Sequence, residues 1–251
     1  NEIQKNNRTR YIALCEYLYS KYSIIIKRKN LIESVLSGVL FHGLYLGGVF
    51  YSISIGMPTS IAALIVTLQP ILTNILSGPI LNEKVTFKQW IGVLLGFFGA
   101  TLVLGLDLGS KIPLLGLIAT IIALVSITAS TIWQKKLSNN LPLSVSNFYQ
   151  AVGGCFFHIL VVIFFAKPYI AFTKTFFLAM GHQILLVSFG AFTILMFLIK
   201  KNSASKTVSI FFLIPATSAL MAWFFLKESL TAIDLLGFLI TSIGVYIATR
   251  D

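Results

Sequence analysis

The chain has 251 residues, of which 57% are apolar and only 11% charged, and its mean hydropathy is +0.89. A globular protein carries about 25% charged residues, so composition excludes an ordinary soluble domain. The formal net charge of +11 would suggest nucleic acid in a soluble protein, but on so apolar a chain it reads as basic loops that set membrane orientation. Cys15 and Cys155 are too few and too far apart to make a disulfide framework or a metal site.

The N-terminal stretch NEIQKNNRTR is polar and does not have the form of a cleavable signal. Residues 10–27 are apolar enough for a helix, yet Glu16 and Lys21 sit at its middle, each costing about 2.5–3.5 kcal/mol at a bilayer centre. Residues 1–33 therefore read as a basic, amphipathic cytoplasmic segment or a degenerate span, the former being favoured. Eight apolar runs follow, at roughly 34–55, 60–81, 88–106, 112–133, 144–166, 176–199, 206–226 and 231–249. Each is close to the roughly 20 residues that cross about 30 Å of hydrocarbon. None has the alternation of a barrel strand, and lipid tolerates only helices or closed barrels. The expected fold is an all-α membrane protein, a helical bundle of eight clear transmembrane spans.

With the N-terminus in the cytoplasm, 15 of the 19 Lys and Arg fall on the cytoplasmic side, leaving Lys111, Lys167, Lys174 and Lys227 outside. Both termini are then cytoplasmic.

Shifting the sequence by 145 positions lays residues 60–99 on 205–244 without a gap and gives ten identities in 40 positions. Biased composition alone would give roughly four. Pro70 falls on Pro215, Glu83 on Glu228, Thr86 on Thr231, Gly92 on Gly237 and Gly99 on Gly244. The chain thus divides into a first, incomplete repeat over 34–110 and a second over 111–251. The link at Glu83 is expected inside and the link at Glu228 outside, so the repeats are inverted, as in many secondary transporters.

A helix with a central proline, a glutamate at the turn and a helix with two glycines seven apart, occurring twice, resembles the drug/metabolite transporter superfamily of EamA type. The stretches FHGLYLGGVFYSISIG (41–56), ALIVTLQP (63–70) and TIWQKK (131–136) are similar to one bacterial branch, and the resemblance covers about 31–250. It implies ten spans in two halves of five, a central substrate cavity and a place in the bacterial inner membrane. Against that pattern the first span is missing and 10–27 stands where the second would be. The chain is therefore expected to be either a fragment or a diverged short form.

The expected activity is alternating-access transport of a small organic metabolite, amino-acid-like, nucleoside-like or drug-like. The alternative is a non-transporting scaffold or an inactive remnant. The sequence carries no HExxH, GxSxG, phosphate loop or metal-spaced Cys/His cluster, so neither catalysis nor a cofactor is expected. The expected partners are the lipid bilayer and a small-molecule substrate, without nucleic acid, and a homodimer is left open.

Pro70 and Pro215 each remove a backbone donor and should kink a helix near mid-membrane, where freed carbonyls line a pathway or are satisfied by Thr67 and Thr217. His42 and His158 are the ionisable groups nearest mid-span, each either a proton relay or a neutral His bonded to a neighbouring helix. Tyr45 lies one turn from His42. Gln69, Gln134, Tyr149 and Gln150, with Ser126 and Ser130, offer amides and hydroxyls either to a cavity or to interhelical hydrogen bonds. Glu83 and Glu228 are expected to sit near the N-terminus of the helix that follows each of them, as structural groups rather than coupling acids. Gly92, Gly96 and Gly99 share one helix face, and with Gly237, Gly244 and the pair Gly43/Gly47 they are expected to let helices pack closely.

Overall fold

The structure is a computed structural model that describes residues 27–105, 111–165, 170–227 and 229–250. Glu228 and most of the segment 10–27 therefore lie outside the described residues. Among those described, eight helices are long and apolar enough to span a membrane. They are α1 (Arg28–Ser54), α2 (Thr59–Leu81), α3 (Phe87–Leu104), α4 (Leu114–Ser138), α5 (Leu143–Phe165), α6 (Lys174–Lys201), α7 (Ala204–Phe225) and α8 (Ala232–Thr249). The fold is an all-α membrane bundle.

The 145-residue repeat is visible in local geometry as well as in sequence. Helix α3 starts with a capping box in which the Thr86 amide donates to Gln89 Oε1 (2.8 Å) and the Gln89 amide to Thr86 Oγ1 (3.3 Å). Its counterpart α8 starts the same way, the Thr231 amide donating to Asp234 Oδ2 (2.8 Å) and the Asp234 amide to Thr231 Oγ1 (3.2 Å). Helix α2 ends on Asn82 at φ 56° and α7 on its counterpart Lys227 at φ 60°. Both are left-handed caps, a conformation costing a non-glycine residue about 1–2 kcal/mol.

Both proline-bearing helices are interrupted. In α2 regular helix stops at Val66 and resumes at Gln69, one residue before Pro70. In α7 it stops at Ser209, passes through the 3₁₀ turn Ile210–Phe212 and resumes at Leu213, two residues before Pro215. Each proline lacks the N–H that would reach back four residues, so the ladder must break upstream of it. Thr67 Oγ1 donates to the Ala63 carbonyl (2.7 Å), which also accepts the Thr67 amide (2.8 Å), and Thr217 Oγ1 donates to the Leu213 carbonyl (2.9 Å). Neither hydroxyl therefore bonds the carbonyl four residues before its proline, Val66 or Phe211. Helix α1 widens into a π-helix over Val39–Tyr45 and α6 over Gln183–Ala191. Adding 145 to 39–45 gives 184–190, so this irregularity is repeated too.

The tightest crossing joins α3 to α8. A methyl group on Gly92 would stand 2.6 Å from the Gly244 carbonyl oxygen, and one on Gly244 would stand 2.7 Å from that of Gly92. The pair Gly99 and Gly237 does the same at 2.7 and 2.8 Å. Because Gly92 meets Gly244 while Gly99 meets Gly237, the helices run antiparallel. Adding 145 to Gly92 and subtracting it from Gly244 turns the first contact into the second, so the crossing is symmetric about the repeat. Val93, Ala100, Phe212, Val245 and Ala248 fill the core around it. On the other side, α1 lies against α4 and α5. A Cβ at Gly43 would meet the Phe157 ring at 2.7 Å, and one at Gly154 would meet His42 Cβ at 2.6 Å.

Candidate functional site

Two polar features lie in the bundle around α1. The first starts at the π-helical segment of that helix. The His42 ring lies 5.0 Å from both Phe41 and Phe192 between ring centroids, and Phe41 lies 5.6 Å from Tyr45 and 5.1 Å from Phe192. Phe192 immediately follows the π-helical segment of α6, so the repeated irregularity supplies both walls of this cluster. Behind it, His158 Nε2 on α5 donates to the His42 backbone carbonyl (2.9 Å). A carbonyl can only accept, so the proton of neutral His158 resides on Nε2 in this arrangement.

The second feature is a seam of amides and hydroxyls joining α1, α4 and α5. Ser130 Oγ donates to the Ser37 carbonyl (3.1 Å) and lies 3.1 Å from Ser37 Oγ. Gln134 Nε2 donates to Ser130 Oγ (3.2 Å) and to Gln150 Oε1 (2.9 Å), while Gln150 Nε2 donates to Ser146 Oγ (3.0 Å). Gln69 on α2 joins α4 separately, Nε2 donating to Thr131 Oγ1 (3.0 Å). Gln69, Gln134 and Gln150 are each no more than 2% exposed, so these bonds bind helix to helix. Tyr149 stays apart from the seam, half-buried, with its ring 5.3 Å from Phe148.

Around Pro70, α2 buries a polar face made of Gln69, Thr73, Asn74 and Ser77. Sequence reading named only Gln69, although residues at i, i+4 and i+8 from it were there to be seen. Asn74 is 3% exposed and neither end of its amide has a partner, nor have Thr73 Oγ1 and Gln134 Oε1. Buried polar groups left without partners cost roughly 1–3 kcal/mol each and mark places where water or a ligand group belongs. Pro70 is buried in this face and Pro215 is half-buried on α7. Phe192 carried no signal in the sequence, since its repeat counterpart is Gly47.

The Glu83 carboxylate departs from expectation. The capping box of Thr86 and Gln89 serves the helix that follows it, and Glu83 reaches the other repeat instead. Its Oε1 accepts from the Ala204 amide (2.8 Å) and its Oε2 from the Ser205 amide (3.3 Å), capping α7. Among the described residues no three His, Cys, Asp or Glu gather as a metal would require.

Compared with known proteins, the chain matches the EamA-like transporter family over residues 12–105 and again over 114–250. It belongs to the EamA-like transporter family. The "Uncharacterized transporter YvbV" of Bacillus subtilis (strain 168) is 27% identical over 221 residues, covering 84% of this chain and 68% of that one. The "Probable amino-acid metabolite efflux pump" of Escherichia coli (strain K12) is 24% identical over 221 residues, with 79% and 70% covered. A protein of known crystal structure shares the fold at a TM-score of 0.71 and 14% identity, with 88% of this chain and 86% of that one covered. The EamA-like chain is thus a multi-pass membrane protein of a transporter family.

Proposed function

We propose that this chain is a secondary transporter that moves a small organic metabolite by alternating access between its two inverted repeats. The observation that carries this reading is the reciprocal α3–α8 crossing. Two copies of one unit, turned opposite ways and joined at a common seam, give a bundle two related ways of packing. The interrupted α2 and α7 flank that seam at corresponding positions, as discontinuous helices flank the binding sites of inverted-repeat transporters.

His42, Tyr45 and Gln69, with the breaks at Pro70 and Pro215, border the pathway in this reading, while Gln134 and Gln150 hold α4 to α5. Tyr149 stands at the edge of that α5 contact. Amides, hydroxyls and rings, with no carboxylate at depth among the described residues, suit a neutral or zwitterionic solute with an apolar body. The relative named as a probable amino-acid metabolite efflux pump agrees with that chemistry. The end of the bundle carrying Lys84, Lys88, Lys135, Lys136, Lys200, Lys201 and Lys206 faces the cytoplasm of a bacterial cell, by its excess of cations.

The test is flux into proteoliposomes holding the purified full chain, using labelled amino acids and nucleosides. At least one solute should accumulate faster than in empty liposomes, and His42→Ala or Gln69→Leu should slow it at least several-fold without loss of folded protein. Equal flux across the whole panel would sink the transport reading.

A further inference from the structure

We propose that the Glu83 carboxylate is a latch that holds the basic end of the bundle shut across the two repeats. The proposal rests on the alternating-access reading above. Its geometry is specific. The turn Asn202–Ser203, between α6 and α7, is gripped from both sides. Glu83, from the link after α2, takes the amides of Ala204 and Ser205 at 2.8 and 3.3 Å, while Ser203 Oγ takes the amide of Lys206 at 3.3 Å. Lys135, at the end of α4, donates its Nζ to the carbonyls of Ile199 (2.9 Å) and Asn202 (2.5 Å). An anion on the first amides of α7 and a cation on the last carbonyls of α6 each match the sign of the exposed helix end.

The packing around this turn is one-sided. The second half of α2, Gln69–Leu81, lies against Ala204–Ser209 of α7. The counterpart pair under the 145-residue repeat, Leu213–Met221 of α7 with Thr59–Val66 of α2, shares no comparable packing. Helices α2 and α7 are therefore together at the end that Glu83 bridges and apart at the other. In an inverted pair, exchanging the roles of the repeats turns this state into its opposite, with Gln69–Leu81 parting from Ala204–Ser209. The Glu83 carboxylate bonds across that contact, so parting must break two charge-assisted hydrogen bonds and uncap α7. Removing the carboxylate lowers the cost of opening this end and deletes no contact at the other, so the balance shifts toward the state closed there.

The experiment uses spin-label distances on the full chain in lipid nanodiscs, with one label pair per end. Lys84→Cys with Asn202→Cys reports the latched end, and Thr59→Cys with Ser229→Cys reports the other, both on a background with Cys15 and Cys155 replaced by Ser. In Glu83→Ala the ratio of long to short distances at the latched end should rise about tenfold, with shortening at the other end. Glu83→Gln, which keeps the shape and one acceptor, should give a smaller shift in the same direction and serves if the alanine variant does not fold. Thr86→Ala, which uncaps α3 alone, should leave both distributions in place. Unchanged distances in folded Glu83 variants, or the same shift in Thr86→Ala, would overturn the latch. No solute enters this measurement, so its failure is separable from a failure of the flux assay.

Discussion

Gln134 shows how single polar residues act in this bundle. Its Nε2 bridges Ser130 and Gln150 while its Oε1 stays unpartnered, all at 2% exposure. One interhelical hydrogen bond in lipid averages about 0.6 kcal/mol, whereas stranding a buried partner costs roughly 1–3 kcal/mol. The stranding term therefore decides the outcome. Gln134→Leu should destabilise the folded chain by about 1–2 kcal/mol in detergent unfolding, because it leaves Gln150 Oε1 without its donor. The double variant Gln134→Leu/Gln150→Leu should cost clearly less than the sum of the two singles; simple additivity would mean that the two amides do not act as a pair. His158→Phe should be milder, since its bond to the His42 carbonyl lies on an exposed side chain, whereas the Gln134–Gln150 bond is buried.

At the scale of helices, glycine spacing tells less than glycine surroundings. Gly47 completes a GxxxG with Gly43, yet a Cβ there meets only ring atoms of His158 and Phe157 at 3.8 and 3.9 Å. A Cβ on Gly92 would stand 2.6 Å from the Gly244 carbonyl oxygen. Gly47→Ala should therefore change stability by less than about 0.5 kcal/mol, and Gly92→Ala should cost about 1–3 kcal/mol by forcing α3 from α8. Thermal unfolding monitored by size-exclusion chromatography measures both, and equal losses would contradict the crossing. The small face of α3 was readable because three glycines fall at i, i+4 and i+7. Its partner was not, because which helix or which copy fills such a face is a matter of tertiary packing. The structure uses the face within the chain, so a homodimer would have to use another. The π-helical segments of α1 and α6 have no residue signature, and the Glu83 contact spans 121 residues, beyond the reach of any local pattern. What was legible was what recurs at 145 in the residues themselves, namely the spans, the prolines and the glycines. The aromatic walls at Phe192 and the polar face at Thr73 and Asn74 arise where the two repeats differ in sequence.

For the molecule as a whole, two copies of one helical unit enter the membrane in opposite directions. The α3–α8 contacts exchange under the 145-residue shift as that arrangement demands, and the family match divides into two stretches, 12–105 and 114–250. Lys84 and Ser229 are counterparts under the shift and are both exposed. The direct measurement is labelling of Lys84→Cys and Ser229→Cys, each on the cysteine-free background, with a membrane-impermeant maleimide in intact cells and in inverted vesicles. Inverted repeats require the two positions to react from opposite sides, and the proposed orientation by cation excess has Ser229→Cys react in intact cells and Lys84→Cys only in inverted vesicles. Labelling of both positions from the same side would contradict the inverted arrangement and, with it, the basis of the proposed transport mechanism.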